Sequence, residues 1–131
     1  MRRNCGAAII IQDGKIALIK RVREGEVYFV FPGGGIGEGE TPEEATKREV
    51  YEELGVHIQM GHLIATVEYN GTEYYYDAHI IDGIFGSGKG EEFKRKDRGS
   101  YIPLWMPVNE LENVNIKPYE VVGSIFDYYI R

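Results

Sequence analysis

Glu49, Glu52 and Glu53 stand at i, i+3 and i+4 in the run Arg48-Glu49-Val50-Tyr51-Glu52-Glu53. At that spacing helix side chains become neighbours. Three carboxylates on one helical turn repel one another, and sharing a cation relieves the cost. Oxygen ligands of this kind suit a hard divalent ion, Mg²⁺ or Mn²⁺. Just upstream lies Pro32-Gly33-Gly34-Gly35, where glycine lets the backbone approach a ligand closely. Taken alone, the acidic run also reads as the solvated face of an ordinary helix.

The elements that must position these groups are well punctuated. Thr41 is a good N-cap, Pro42 suits the first helical position, and Glu44 completes a capping box. Gly55 fits just past the end of that helix. Val50 and Leu54 point away from the acidic face, so the core side and the acid side separate. Residues 5–11 and 15–22 are apolar runs joined at Asp13-Gly14, a hairpin signal. Tyr28 to Phe31 reads as a third strand, stopped by Pro32. Residues 62–69 and 72–81 form a second hairpin about Asn70-Gly71. In its second strand Tyr74 and Tyr76 share one face and read as core; Tyr75 is on the other and is the better candidate to touch a ligand. A long loop runs from Gly86 to Ser100. Tyr101 to Met106 is a last strand, and Pro118 opens a helix ending near Tyr129. Helices among antiparallel and mixed strands predict a layered α/β fold.

The 131 residues fit one domain, 1–131, and 43% hydrophobic with 27% charged content is that of a folded globular chain. A net charge of −6 argues against general nucleic-acid binding, which needs a basic face. Cys5 is the only cysteine, so no intrachain disulfide forms and a reducing compartment is expected. The N-terminal apolar run is broken at Gln12-Asp13-Gly14, too early for a membrane span or a convincing signal peptide. The expected location is the cytoplasm.

Written as a pattern, residues 34–56 are Gly34, five residues, Glu40, seven residues, then Arg48-Glu49-Val50-Tyr51-Glu52-Glu53-Leu54-Gly55-Val56. This resembles the Nudix box, G-x₅-E-x₇-R-E-U-x-E-E-x-G-U, at every fixed position. The preceding hairpin, the FPGG approach and the late WMPVNEL segment look like those of MutT-like Nudix hydrolases. The resemblance implies an α/β/α sandwich with a mixed β-sheet between helices. It implies metal-dependent hydrolysis of a nucleoside diphosphate linked to another moiety: a nucleoside triphosphate, nucleotide sugar, ADP-ribose or similar. Glu49, Glu52 and Glu53 would hold Mg²⁺ (or Mn²⁺) with the Gly33 carbonyl, while Arg48 and Glu40 would orient the carboxylates. Gly37 stands where many members carry an acidic residue, a departure outside the fixed positions. Dimers are common in the family.

Pyrophosphate resists attack because its negative oxygens repel a nucleophile, and metal ions neutralise that charge and acidify a bound water. A carboxylate not fully engaged with metal can take the proton. Glu53, Glu49, Glu91 and Glu92 are the candidates, the last two in the long loop. Arg21, Arg23 and Lys20, close to the glycines, could meet substrate phosphates, although solvation is the commoner fate of such residues. Gly83 to Lys89 imitates a phosphate-binding loop but has Gly90 where Ser or Thr is required. His57, His62 and His79 lack ligand spacing, Trp105 lines either core or cleft, and Cys5 reads as a small buried apolar residue. Two rivals remain, one on the same scaffold and one on a related fold. One is a nucleotide sensor without catalysis, although all box carboxylates are present. The other is isopentenyl-diphosphate isomerase chemistry, for which Cys5 is poorly placed. A purely structural domain leaves the acidic cluster unexplained.

Overall fold

Two hairpins that share one sheet, and then part, build the frame of the site. The computed structural model describes residues 3–88 and 99–129. β1 (Cys5–Gln12) and β2 (Lys15–Arg23) join through Asp13 and Gly14, both at positive φ (52° and 74°), and pair at Gln12↔Lys15 and Ile11↔Ile16. Beyond those pairs they diverge. The other end of β1 is bonded instead to β4 (Gly33–Gly35), antiparallel, and to β6 (Thr72–Gly83), in parallel. β2 continues beside β3 (Glu26–Val30) and β7 (Ser100–Pro107). β5 (Val56–Glu68) flanks β6, and β8 (Ile116–Lys117) runs parallel to β3. The mixed eight-stranded sheet therefore opens as a V between β1 and β2.

α1 (Pro42–Leu54) covers one face and α2 (Glu120–Tyr129) the other, which makes the expected α/β/α sandwich. Because side chains alternate along β1, Ile9 points to the α2 side with Leu18 and Ile125. Ile10 points to the α1 side with Ile19, Val50 and Leu54. Leu54 is fully buried at the end of the helix that carries the acids. Leu54→Ala is expected to cost about 2–5 kcal/mol, as large-to-small core changes do. A urea midpoint unchanged from the parent would contradict that packing.

The capping expectations hold in detail. Thr41 accepts from Glu44 N, Glu44 reaches back to Thr41 N, and Gly55 adopts the left-handed conformation at φ 78°. Gly86 N donates to Leu54 O at 2.8 Å, and a side chain at Gly88 would collide with the carbonyls of Glu52 and Glu53. The chain leaving β6 thus closes the carboxyl end of α1.

Several boundaries differ from the sequence reading. β5 begins at Val56, immediately after the helix, and β4 and β8 are too short to carry a pattern. A 3₁₀ turn spans Val108–Asn113, and α2 starts at Glu120, two residues after Pro118. β6 lies between β5 and β1 with helices on both sheet faces, so Tyr75 and Tyr76 are both buried despite opposite orientations. Trp105 stacks on Phe85 with centroids 4.7 Å apart and packs against the core on the α1 side. No helix among the described residues is long and apolar enough to cross a membrane.

Candidate active site

A cavity of about 850 Å³ fills the open V, walled by the end of β1, the β4 glycines, β2, β6 and the acidic face of α1. Glu49, Glu52 and Glu53 all line it, together with Gly33 and Gly34. Glu49 and Glu53 are buried, at 8% and 5% exposure, whereas the Glu52 side chain is 39% exposed. The three acids differ in setting because Glu52 lies at the edge of the buried arc of α1, next to exposed Tyr51, while Glu49 and Glu53 lie within it.

Backbone and side chain interlock here. Gly33 N donates to Glu53 Oε1 at 2.8 Å, tying β4 to the end of the helix. A Cβ on Gly34 would sit 2.5 Å from the carboxyl carbon of Glu49, so a side chain there would push the acid out of its present position. Arg48 organises the rest. Its Nε and Nη2 donate to the two oxygens of Glu40 at 2.7 and 2.9 Å. Nη2 also reaches Gly35 O at 3.0 Å. Its Nη1 reaches Glu49 Oε2 at 3.0 Å and Glu52 Oε2 at 3.4 Å. One guanidinium therefore joins the glycine strand, the following loop and two of the three acids.

These contacts set the local charge states. The Arg48 hydrogen bonds, followed by the Gly37 N–H, hold the Glu40 carboxyl down to about 2. Glu40 in turn pushes the Arg48 guanidinium further up. A carboxyl whose folded value lies below its ordinary 4.5 stabilises the fold fully above that value. The contribution drains away as pH falls from about 4.5 toward about 2. Glu40→Gln is accordingly expected to flatten the acid limb of the stability curve in that window. Parent and variant curves of identical slope there would refute the assignment.

The donor set is all oxygen, three carboxylates with the Gly33 backbone alongside, and it fits a hard divalent cation. Among the described residues no three acidic, histidine or cysteine side chains already converge on one point. Arg48 and Gly33 N hold the carboxylates toward different partners. The terminal torsion of a Glu side chain is broad and turns at small cost.

Of the other residues singled out, Arg21 lines the cavity and Arg23 does not; it sits beside the β2–β3 turn, paired in register with Glu26. Tyr75 lines the cavity as expected, but its hydroxyl donates to Glu73 Oε1 at 2.8 Å and its ring meets Phe31 edge-on. Burial, then Glu73, raises the Tyr75 pKa. Tyr74, read as core, also lines the cavity. Cys5, read as buried, is half-buried on the cavity wall, and burial raises its thiol pKa. Glu91 and Glu92 lie outside the described residues, so the catalytic role expected for Glu92 stays a sequence reading. Lys117 and Glu73 were missed: each reaches the cavity through a pairing between distant segments, Lys117 opposite Val30 and Glu73 opposite Cys5.

A family model described as the NUDIX domain matches residues 2–123. The RNA pyrophosphohydrolase of Aeromonas hydrophila is 42% identical over 65 residues, 50% of this chain and 36% of that protein. The chain thus spans well under two thirds of that relative. An uncharacterized Nudix hydrolase of Bacillus subtilis is 24% identical over 131 residues, covering 98% of this chain and 77% of its own. Among solved structures, a NUDIX hydrolase from Nitrosomonas europaea has a TM-score of 0.79 at 21% identity, covering 99% of this chain and 90% of that one. That likeness is one of fold.

Proposed function

Because the chain belongs to the Nudix family, we propose that it hydrolyses the pyrophosphate link of a nucleoside diphosphate joined to another moiety. The reading rests above all on one observation: three carboxylates from a single turn of α1 line the same cavity as the β4 glycines. Similarity to a protein named RNA pyrophosphohydrolase supports cleavage of a phosphoric anhydride.

Mechanism follows from what each group can do. Glu49, Glu52 and Glu53, with the Gly33 carbonyl, would hold Mg²⁺ or Mn²⁺. When bound, such ions screen phosphate charge and supply an acidified water. Arg48 keeps the Glu49 and Glu52 carboxylates aimed along the cleft, and Glu40 fixes Arg48. Glu53 and Glu49 are the described carboxylates able to accept the proton of the attacking water. Gly34 lets substrate oxygens approach the backbone, and Arg21 supplies positive charge across the cleft.

A panel assay tests this reading. Purified protein with Mg²⁺ or Mn²⁺ is offered nucleoside triphosphates, ADP-ribose, a nucleotide sugar, a dinucleoside polyphosphate and a 5′-triphosphorylated RNA. Metal-dependent release of phosphate or pyrophosphate, or of two monophosphates, is expected from at least one. No cleavage of any of them with either ion would overturn the proposal.

A further inference from the structure

The cavity is lined by the acids of α1 and also by cations from other elements. Arg21 on β2 and Lys117 on β8 both line the cavity. The Arg21 guanidinium lies 3.7 Å from the Tyr101 ring centroid and 5.8 Å from that of Tyr28. Its Nε donates to Ser100 O at 3.1 Å, and the residue is buried. The Lys117 ammonium lies 4.3 Å from the centroid of the same Tyr28 ring. Lys117, Tyr28, Arg21 and Tyr101 therefore form an alternating row of cations and rings. Strand register explains it, since Arg21 stands opposite both Tyr28 and Tyr101, and Lys117 opposite Val30.

The two cations are held differently. Arg21 is clamped by rings and backbone. Lys117 is paired at 3.0 Å with Glu26, and both side chains are about half exposed, 50% and 51%. Asn115 Nδ2 steadies Glu26 at 3.3 Å. A solvent-exposed ion pair of this kind contributes little and exchanges readily. A phosphate group carrying more charge is a better partner for the ammonium than one carboxylate.

Resting on the reading that an anhydride is held beside Glu49, Glu52 and Glu53, we infer that Lys117 binds the free end of the substrate's phosphate chain, displacing Glu26. The cleft then prefers substrates that end in an unesterified phosphate over those that end in a neutral group. Spacing favours this. Val30, opposite Lys117, precedes Gly33 by three residues, about 10 Å of extended chain. The lysine side chain covers part of that distance, and phosphate beyond the cleaved link covers the rest. Glu68 and Glu73 line the cavity as well, accepting from the Thr72 and Tyr75 hydroxyls. Arg3 also lines the cavity, against Gly35 and beside the Asn70-Gly71 turn.

The test compares ATP with ADP-ribose, two substrates that share a nucleoside and differ in how the chain ends. Lys117→Gln is expected to lower kcat/KM for ATP relative to ADP-ribose about tenfold, the loss of one charge-assisted hydrogen bond, mainly through KM. Glu26→Gln is expected to shift the same ratio the other way, and Lys117→Arg to keep the parent preference. A 5′-triphosphorylated RNA, the other source of such an end, must follow ATP. An unchanged ratio in Lys117→Gln overturns the inference. Equilibrium binding of inorganic tripolyphosphate to parent and Lys117→Gln, in the presence of Mg²⁺, separates this from failure of the hydrolase reading. Weaker binding by the variant supports the inference even if nothing is cleaved, and equal binding sinks it.

Discussion

Glu53→Gln is expected to lower turnover by about two to four orders of magnitude, because a metal-centred site supplies several kcal/mol of charge stabilisation. The fold should survive the change. Glu53 Oε1 accepts from Gly33 N at 2.8 Å, and an amide oxygen of the same shape can keep that bond. What disappears is a negative charge on a nearly buried side chain, 5% exposed, in the cleft wall. The measurement is kcat at saturating Mg²⁺ alongside the thermal midpoint. A variant as active as the parent would remove Glu53 from the site, and one that failed to fold would show that its negative charge is needed by the fold itself.

Arg48 carries the second large effect. Its guanidinium makes two bonds to Glu40 and further bonds to Gly35 O, Glu49 and Glu52. Groups that orient metal ligands typically govern affinity or activity by about 10–100-fold. Arg48→Lys keeps the charge but cannot make the forked contact with Glu40 while also reaching the others. It is therefore expected to resemble Arg48→Gln rather than the parent, with the metal concentration for half-maximal rate raised by about the same 10–100-fold. A lysine variant with the parent's metal dependence would mean that charge alone suffices at this position.

The parts of the protein that were legible in its sequence are those fixed by neighbours in the chain. The capping box at Thr41 and Glu44, the turn at Asp13-Gly14 and the acidic turn of α1 each depend on residues a few positions apart. The structure brings Glu49, Glu52 and Glu53 to one cavity, as that spacing implies. What stayed hidden is set by distant pairing. Lys117 meets Glu26 across 91 positions, and β8 offers only two residues of strand from which to foresee it. Alternation along β6 suggested one core face, yet helices cover both faces of this sheet, so orientation alone did not separate Tyr75 from Tyr76. Arg23 looked as close to the glycines as Arg21 does. Two positions along a strand carried it out to the turn at Glu24-Gly25.

The way Gly86 and Gly88 seal the carboxyl end of α1 bears on how this protein can be re-engineered. Swapping in a relative's connecting segment from Phe85 onward would strip the terminal carbonyls of their partner and disturb the acids one turn away. A splice made after Gly88 keeps that closure, so recognition could be diversified there without retuning the chemistry.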